Sequence, residues 1–253
     1  MNSQYAIETV HLKKTYRGKA EPTLDDLCLR IPYGSLFGFL APNGAGKTTA
    51  INVICGLRRF DGGVVFVGGH SIATEMKAIK PLLGLVPQEI ALFPSLTARE
   101  NLKIFGGLNG LSGSKLNSRV DELLTLFDLT HSRDTIIGHF SGGMKRRINL
   151  IAGMLHSPKI LILDEPTVGV DAQSRKLILD KLMEINRSGT TILFISHYLE
   201  EAEEICDEVA FMDRGTILCQ GDPSRLKAGY SGCENLEALY LKLTGKKMRD
   251  NHE

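Results

Sequence analysis

Short apolar or alternating segments, separated by Gly and Pro, fill the first third of the chain. Runs of this kind predict β-strands. The predicted strands are residues 6–10, 24–31, 36–40, 64–67 and 83–86. One helix is expected among them, at residues 46–56, because a glycine stands where the chain would leave its last turn.

A helical period replaces this pattern between about residues 94 and 140. Thr97 followed by Glu100 is a capping-box signature and predicts a helix at residues 98–106. A second helix follows, and its apolar residues share one face: Val120, Leu123, Leu124 and Phe127. A third helix is expected at residues 142–156. We interpret this block, about residues 94–157, as a helical insertion within an α/β domain.

Strands and helices alternate again from Lys159 onward. Residues 160–163 and 191–195 are continuous apolar runs, which indicate parallel strands covered on both faces. Helices are predicted at residues 172–186 and 198–206, and strands at residues 209–212 and 216–219. Asp222 and Pro223 supply a helix cap and a first-turn proline. A C-terminal helical tail is therefore expected at about residues 222–253, with a solvated end at Lys246, Lys247, Met248 and Arg249.

Composition narrows the class of protein. The chain has 253 residues, of which 43% are hydrophobic and 23% are charged, so one packed domain over residues 1–253 is expected. Lys+Arg 30 against Asp+Glu 29 gives a net charge of +1, which argues against a nucleic-acid partner. No apolar run approaches the roughly 20 residues of a membrane span, and residues 1–9 do not resemble a leader. We therefore expect a cytosolic protein, whose five scattered cysteines are small apolar fillers.

Residues 41–48, Ala-Pro-Asn-Gly-Ala-Gly-Lys-Thr, lie between an apolar strand and a helix, which is the setting of a phosphate-binding loop. Gly44 and Gly46 let backbone N–H groups close around phosphate, and the helix adds its positive N-terminal end. Lys47 is expected to reach the β- and γ-phosphates, and Thr48 to bind Mg²⁺. The predicted nucleotide-binding residues of this segment are Asn43, Gly44, Ala45, Gly46, Lys47, Thr48 and Thr49.

Ala41 departs from the pattern G-x-x-x-x-G-K-[ST], which has glycine there. If this position requires a positive φ, alanine costs about 1–2 kcal/mol, and if φ is negative it costs little. Nucleotide binding is predicted despite the departure.

Asp164 and Glu165 end the apolar strand of residues 160–163. A buried strand delivers side chains to the carboxyl edge of a sheet, where ligands of open α/β sheets bind. Asp164 is expected to hold Mg²⁺, and Glu165 to polarise the water that attacks the γ-phosphate. The alternative is a pair of solvated acids at a strand end.

Further motifs resemble the ATP-binding-cassette (ABC) family, from about Tyr5 to Gly221. Residues 140–144, Phe-Ser-Gly-Gly-Met, are similar to the family signature, usually LSGGQ. Gln88 resembles the family's Q-loop glutamine, Asp171 its D-loop aspartate and His197 its switch histidine. Tyr16 resembles the aromatic residue that stacks on adenine. The implied fold is α/β: a P-loop NTPase core with a mixed sheet, an N-terminal antiparallel β-subdomain and an inserted α-helical subdomain.

The resemblance also implies a mechanism. Two cassettes pair head to tail, and each ATP lies between the Lys47 loop of one and Ser141, Gly142 and Gly143 of the other, near Asp171. His197 contacts the γ-phosphate or the attacking water, and Gln88 contacts Mg²⁺ or water while sensing the transport partner. The catalytic residues are then Glu165, His197 and Gln88, and the metal ligands Thr48, Gln88 and Asp164.

Phe140 and Met144 depart from the usual signature, and Met144 loses an amide. Residues 144–147, 164–171 and 235–245 resemble the branch of the family that exports drugs, lipids or polysaccharides. Two of the three basic residues Lys145, Arg146 and Arg147 are expected to be solvated.

The resemblance leaves three functions to weigh. The first is the ATP-hydrolysing subunit of an exporter, at the cytoplasmic face of the membrane, bound to a separate membrane-spanning permease and to a second ATP-binding subunit, expected to be a copy of itself. The second is a soluble cassette acting on ribosomes or DNA, which the near-neutral charge and the single cassette disfavour. The third is a regulatory cassette that binds ATP without hydrolysing it, which the presence of Lys47, Glu165 and His197 disfavours.

Overall fold

The computed structural model of the protein describes residues 4–245. The chain forms two compact units: unit 1 comprises its N-terminal part up to Lys80 and its C-terminal part from Thr191, and unit 2 comprises Pro81–Thr190. The solvated end predicted at residues 246–249 lies outside the described residues. The division of the chain into one domain with a helical block at 94–157 and a tail at 222–253 stays a prediction.

The strands and helices are numbered in chain order. The strands are β1 (Tyr5–Lys14), β2 (Leu24–Pro32), β3 (Leu36–Leu40), β4 (Gly62–Val67), β5 (His70–Ser71), β6 (Leu83–Val86), β7 (Ile160–Asp164), β8 (Thr191–Ser196), β9 (Glu208–Asp213) and β10 (Thr216–Gly221). The helices are α1 (Lys47–Ile54), α2 (Met76–Ile79), α3 (Ala98–Leu108), α4 (Gly113–Leu126), α5 (Gly142–Met154), α6 (Ala172–Arg187), α7 (Leu199–Ile205), α8 (Pro223–Gly229) and α9 (Leu236–Thr244).

Unit 1 contains an antiparallel sheet in the order β2-β1-β4-β5. In a second group of strands, β3 lies between β8 and β9 and is parallel to both, while β10 is antiparallel to β9. Every residue of β3 and β8 is buried, as expected for continuous apolar strands covered on both faces. Leu40 pairs with Ser196. The residues that follow β3 and β8 therefore emerge side by side at one edge.

Unit 2 contains the parallel pair β6 and β7, in which Val86 pairs with Leu163, and the helices α3 to α6. The predicted capping box is confirmed: Thr97 Oγ1 accepts the Glu100 N–H at 3.2 Å, and the Glu100 carboxylate accepts the Thr97 N–H at 2.8 Å. Thr97 holds the pKa of Glu100 below its usual range. The apolar face predicted for α4 is buried, as Val120, Leu123 and Leu124 are each at most 1% exposed.

The fold class is confirmed, with its mixed strand directions, its antiparallel N-terminal sheet and its helices. Two short elements, β5 and α2, were not predicted, because β5 is a pair of polar residues and α2 is a single helical turn, so neither contains an apolar run or a full helical period. The tail contains α9, which Asn235 caps through its side chain. Cys28 is exposed, so the expectation that every cysteine is an apolar filler is wrong for this residue.

Candidate functional site

The predicted phosphate loop joins β3 to α1 in unit 1. Gly44 and Gly46 have φ of 81° and 107°, a left-handed conformation in which a side chain is strained. A Cβ at Gly46 would also approach the Thr23 carbonyl oxygen to 2.8 Å. Within the described residues no side chain caps α1, so its first-turn N–H groups can bind an anion. This geometry fits a phosphate group.

The turn between β9 and β10, which also belongs to unit 1, is hydrogen-bonded to the phosphate loop. Gly215, with φ of 82°, donates its N–H to the Ala45 carbonyl at 2.9 Å. A Cβ at Gly215 would lie 2.5 Å from the Thr23 carbonyl oxygen. The sequence does not predict this contact, since no local pattern indicates which segment a turn will contact.

Lys47 is only 6% exposed, and its ammonium donates to the Ala41 carbonyl at 2.5 Å. The side chain therefore lies back over its own loop. Tyr16 is half-buried, and its hydroxyl lies 3.3 Å from Thr49 Oγ1. Tyr16 is thus brought to the first turn of α1, whereas Asn43, Gly44 and Thr48 are exposed.

Ala41 is fully buried and is absent from the residues with positive φ in the described part of the chain. The strain considered for this departure therefore does not arise, because alanine tolerates a negative φ as well as glycine does. The substitution leaves the loop conformation intact.

His197 follows β8 as Ala41 follows β3, and the register of these two strands brings both to the same edge of unit 1. The imidazole is half-buried and its ring centroid lies 4.2 Å from that of Tyr198. The histidine therefore stands beside the start of the phosphate loop.

In unit 2 the ends of β6 and β7 bring Gln88 and Glu165 together. The Gln88 amide Nε2 donates to Glu165 Oε2 at 3.2 Å. Glu165 is 4% exposed and has φ of 49°, a strained conformation for a residue with a side chain. Asp164, the preceding residue, is half-buried. A carboxylate fixed by an amide in this way suits a base that must keep one orientation.

The signature segment begins α5 in unit 2. Ser141 caps the helix, and its hydroxyl accepts the Met144 N–H at 3.2 Å. A Cβ at Gly143 would lie 2.3 Å from Ser174 Oγ, so glycine permits the close approach of α5 and α6. Asp171 caps α6: its carboxylate accepts the Ser174 N–H and hydroxyl, each at 2.9 Å, and these bonds keep the pKa of Asp171 low.

Two basic residues that follow the signature do not have the solvated role expected. Arg146 is 5% exposed and donates to three main-chain carbonyls: those of Pro87, Gln88 and Val168. Arg147 is half-buried and donates to the Phe127 carbonyl at 2.9 Å. The expectation that two of the three are solvated is therefore wrong, because carbonyls of distant segments take up both guanidinium groups. Burial lowers the pKa of Arg146, and Glu165 and Asp164 oppose that effect.

Comparisons with known proteins agree with this geometry. The family model "ABC transporter" matches residues 24–168. The chain is 42% identical over 226 residues to the linearmycin resistance ATP-binding protein LnrL of Bacillus subtilis, covering 89% of this chain and 72% of that protein. It is 38% identical over 232 residues to the Nod factor export ATP-binding protein I of Paraburkholderia xenovorans, covering 92% and 76%.

Among solved structures, the ATP-binding subunit of an ABC transporter superposes with a TM-score of 0.84 at 28% identity, covering 94% of this chain and 99% of that one. A match at this level over nearly all of both chains extends beyond the residues that the family model covers. The chain therefore belongs to the ABC transporter family, as an ATP-binding and ATP-hydrolysing subunit.

Proposed function

We propose that this subunit powers export through a separate membrane-spanning partner, by hydrolysing ATP between two paired cassettes. The observation that carries the hydrolytic part is the buried Glu165 carboxylate, fixed by the Gln88 amide at 3.2 Å. The direction of transport is supported by the relatives, whose names describe linearmycin resistance and Nod factor export.

The chemistry assigns a role to each residue around the nucleotide. Lys47 and the N–H groups of the loop from Asn43 to Thr49 hold the phosphates, and Tyr16 stacks on adenine. Oxygen ligands are those that Mg²⁺ prefers, so the Thr48 hydroxyl, the Asp164 carboxylate and the Gln88 amide oxygen are the proposed ligands. Mg²⁺ neutralises phosphate charge when bound.

Glu165 is the proposed general base, because its carboxylate can accept a proton from the attacking water. The Gln88 Nε2–H donates to this carboxylate at 3.2 Å, which restricts the directions in which the carboxylate can face. His197 donates to the γ-phosphate or orients the water. Ser141, Gly142, Gly143 and Asp171 contact the ATP of the second subunit, for which a copy of this chain is proposed.

The proposed permease site is the part of unit 2 around Gln88. Ile90, Phe93 and Ile104 are large apolar residues that are each at least 38% exposed. Exposed apolar side chains on the segment after Gln88 and on α3 suit an amphipathic helix of a membrane subunit. The protein then lies on the cytoplasmic face of the membrane. Within residues 4–245, none of the helices has both the length and the hydropathy of a membrane span.

The experiment is an ATP-dependent dimerisation assay with Glu165→Gln. This variant is expected to bind MgATP, to lose about 100-fold or more of its turnover, and to elute as a dimer only with ATP. Glu234→Gln, which makes the same substitution at an exposed residue far from the predicted site in sequence, serves as the matched control. Turnover at the parent rate would show that Glu165 is not the base.

A second arm tests the partner. Capture of the protein from membranes is expected to recover a polytopic membrane protein, and the recovery is expected to fall when Ile90 and Phe93 are replaced by Ser. Retention of the protein on ribosomes or DNA at physiological salt would instead support the soluble alternative.

A further inference from the structure

The side chain of Arg146 joins two segments of unit 2 that carry catalytic groups. One guanidinium nitrogen, Nη1, donates to the Gln88 carbonyl at 2.7 Å and to the Pro87 carbonyl at 3.4 Å. The other, Nη2, donates to the Val168 carbonyl at 3.4 Å. The Val168 N–H in turn donates to the Glu165 carbonyl at 3.3 Å, so Val168 closes the turn that follows the carboxylate.

The same two segments meet at the reacting groups, where Gln88 Nε2 donates to Glu165 Oε2. Gln88 and Glu165 are therefore connected in two ways. Their side chains are hydrogen-bonded directly, and their main chains are connected through Arg146 and Val168. A guanidinium is planar, and its N–H groups have a fixed fork geometry. A rigid group that is bonded to both main chains opposes a change in their separation.

Helix α5 holds the Gln88 segment at a second point. Asn149, three residues after Arg146, donates to the Pro87 carbonyl at 3.2 Å and accepts the Ala91 N–H at 3.4 Å. Residues three apart share a helix face. This face of α5 is therefore hydrogen-bonded to the main chain on both sides of Gln88. The N-terminus of the same helix is the signature segment, capped by Ser141.

We propose that Arg146 is a positioning residue for hydrolysis: its guanidinium bridges the Gln88 segment and the turn after Glu165, and so sets the contact between the amide and the carboxylate. The inference rests on the proposed roles of Gln88 and Glu165. Arg146 itself touches neither nucleotide nor water in this role. A competing explanation is that only its positive charge matters, near the carboxylates of Glu165 and Asp164.

Arg146→Lys separates the two explanations. Lysine keeps the charge, but its ammonium is a point donor that does not reproduce the planar fork. Because misplacement of reacting groups by about 1 Å can cost up to about 100-fold in rate, we expect Arg146→Lys and Arg146→Met each to lower kcat about 10-fold or more. The KM for MgATP is expected to stay within about 3-fold, since the phosphate loop is intact.

Arg119→Met is the matched control. Arg119, on α4, donates to the Met154 and Leu155 carbonyls at the opposite end of α5, at 3.2 and 3.4 Å. The Arg119→Met variant therefore loses the same kind of hydrogen bond to the main chain, while the hydrogen bonds to the Gln88 segment are kept. Its kcat is expected to stay within about 2-fold of the parent chain.

Hydrogen exchange supplies a readout that does not depend on turnover. Amides of residues 88–91 are expected to exchange about 10-fold faster in both Arg146 variants, and at the parent rate in Arg119→Met. A kcat for Arg146→Lys within about 2-fold of the parent, with unchanged exchange, would overturn the proposal in favour of a charge effect. If the parent chain itself hydrolysed no ATP, the proposed function would fail, whereas the exchange experiment would still decide whether Arg146 holds the Gln88 segment.

Discussion

The helices α1 and α5 each follow a small residue, yet their N-termini are completed in different ways. α1 follows Gly46, whose φ is 107°, and within the described residues no side chain caps it. α5 follows Ser141, whose φ is −63° and whose hydroxyl accepts the Met144 N–H. One helix start therefore offers its N–H groups to a ligand, while the other already uses one of them internally.

The two helices also differ in the groups that their basic side chains contact. The first residue of α1 is Lys47, whose ammonium lies 2.5 Å from the Ala41 carbonyl of the loop before the helix. Among the residues that begin α5, Arg146 and Arg147 instead donate to main-chain carbonyls of other segments of unit 2. From this comparison we propose that the loop before α1 binds phosphate by itself, and that the start of α5 adds hydrogen-bond donors to a phosphate that is already bound. The following predictions test it, from the largest expected effect to the smallest.

Lys47→Ala is expected to weaken ATP binding by about 100-fold or more, roughly 3 kcal/mol, because charge-assisted hydrogen bonds to phosphate are lost. Isothermal titration calorimetry with MgATP measures this. Lys145→Ala, on α5, is the control and should bind ATP as the parent does. Equal affinities for parent and Lys47→Ala would remove the basis of the comparison.

Gly143→Ala is expected to destabilise the protein by about 1–3 kcal/mol, since the new methyl group would overlap Ser174, whose Cβ is 2.7 Å away. Gly142→Ala should cost far less, because the nearest atom to its added Cβ, the Gly169 carbonyl oxygen, is 3.5 Å away. Urea unfolding of the two variants measures the difference. Similar losses at both positions would mean that the approach of α5 to α6 does not require glycine.

Ser141→Ala removes a helix cap and should lower the free energy of unfolding by about 1 kcal/mol. Ser112→Ala is the control, because Ser112 begins α4 without a side-chain capping bond. ATP affinity of the single subunit should not change in Ser141→Ala, since the α1 loop holds the phosphate. A large loss of affinity in calorimetry would mean that the two helix starts are more alike than we infer.

Ala41→Gly should leave ATP affinity within about 2-fold, because the φ of Ala41 is already compatible with the loop conformation. Its stability should fall by about 0.5–1 kcal/mol, as glycine gains freedom in the unfolded chain. Thermal unfolding and calorimetry check both. An increase in affinity of 10-fold or more would show that alanine impairs the loop after all.

Local features of the sequence determined most of the elements. The bounds of β3 and β6 agree with the apolar runs residue for residue, and the capping box marked the start of α3. The glycine-rich loop before α1, the two acids at the end of β7 and the signature segment could be located in the sequence for the same reason. Each is a short segment whose conformation depends on its own residues, such as Gly46 at a positive φ.

Only the tertiary structure decided which groups the buried guanidinium of Arg146 contacts, and which distant segments are hydrogen-bonded to the site. The partners of Arg146 are 58 and 22 residues away along the chain, and Gly215 reaches the Ala45 carbonyl from a turn between two other strands. A helical period shows that position 146 shares the inner face with Gly143 and Asn149. It does not show which main-chain carbonyls will face that side chain, because those are fixed by how distant segments pack.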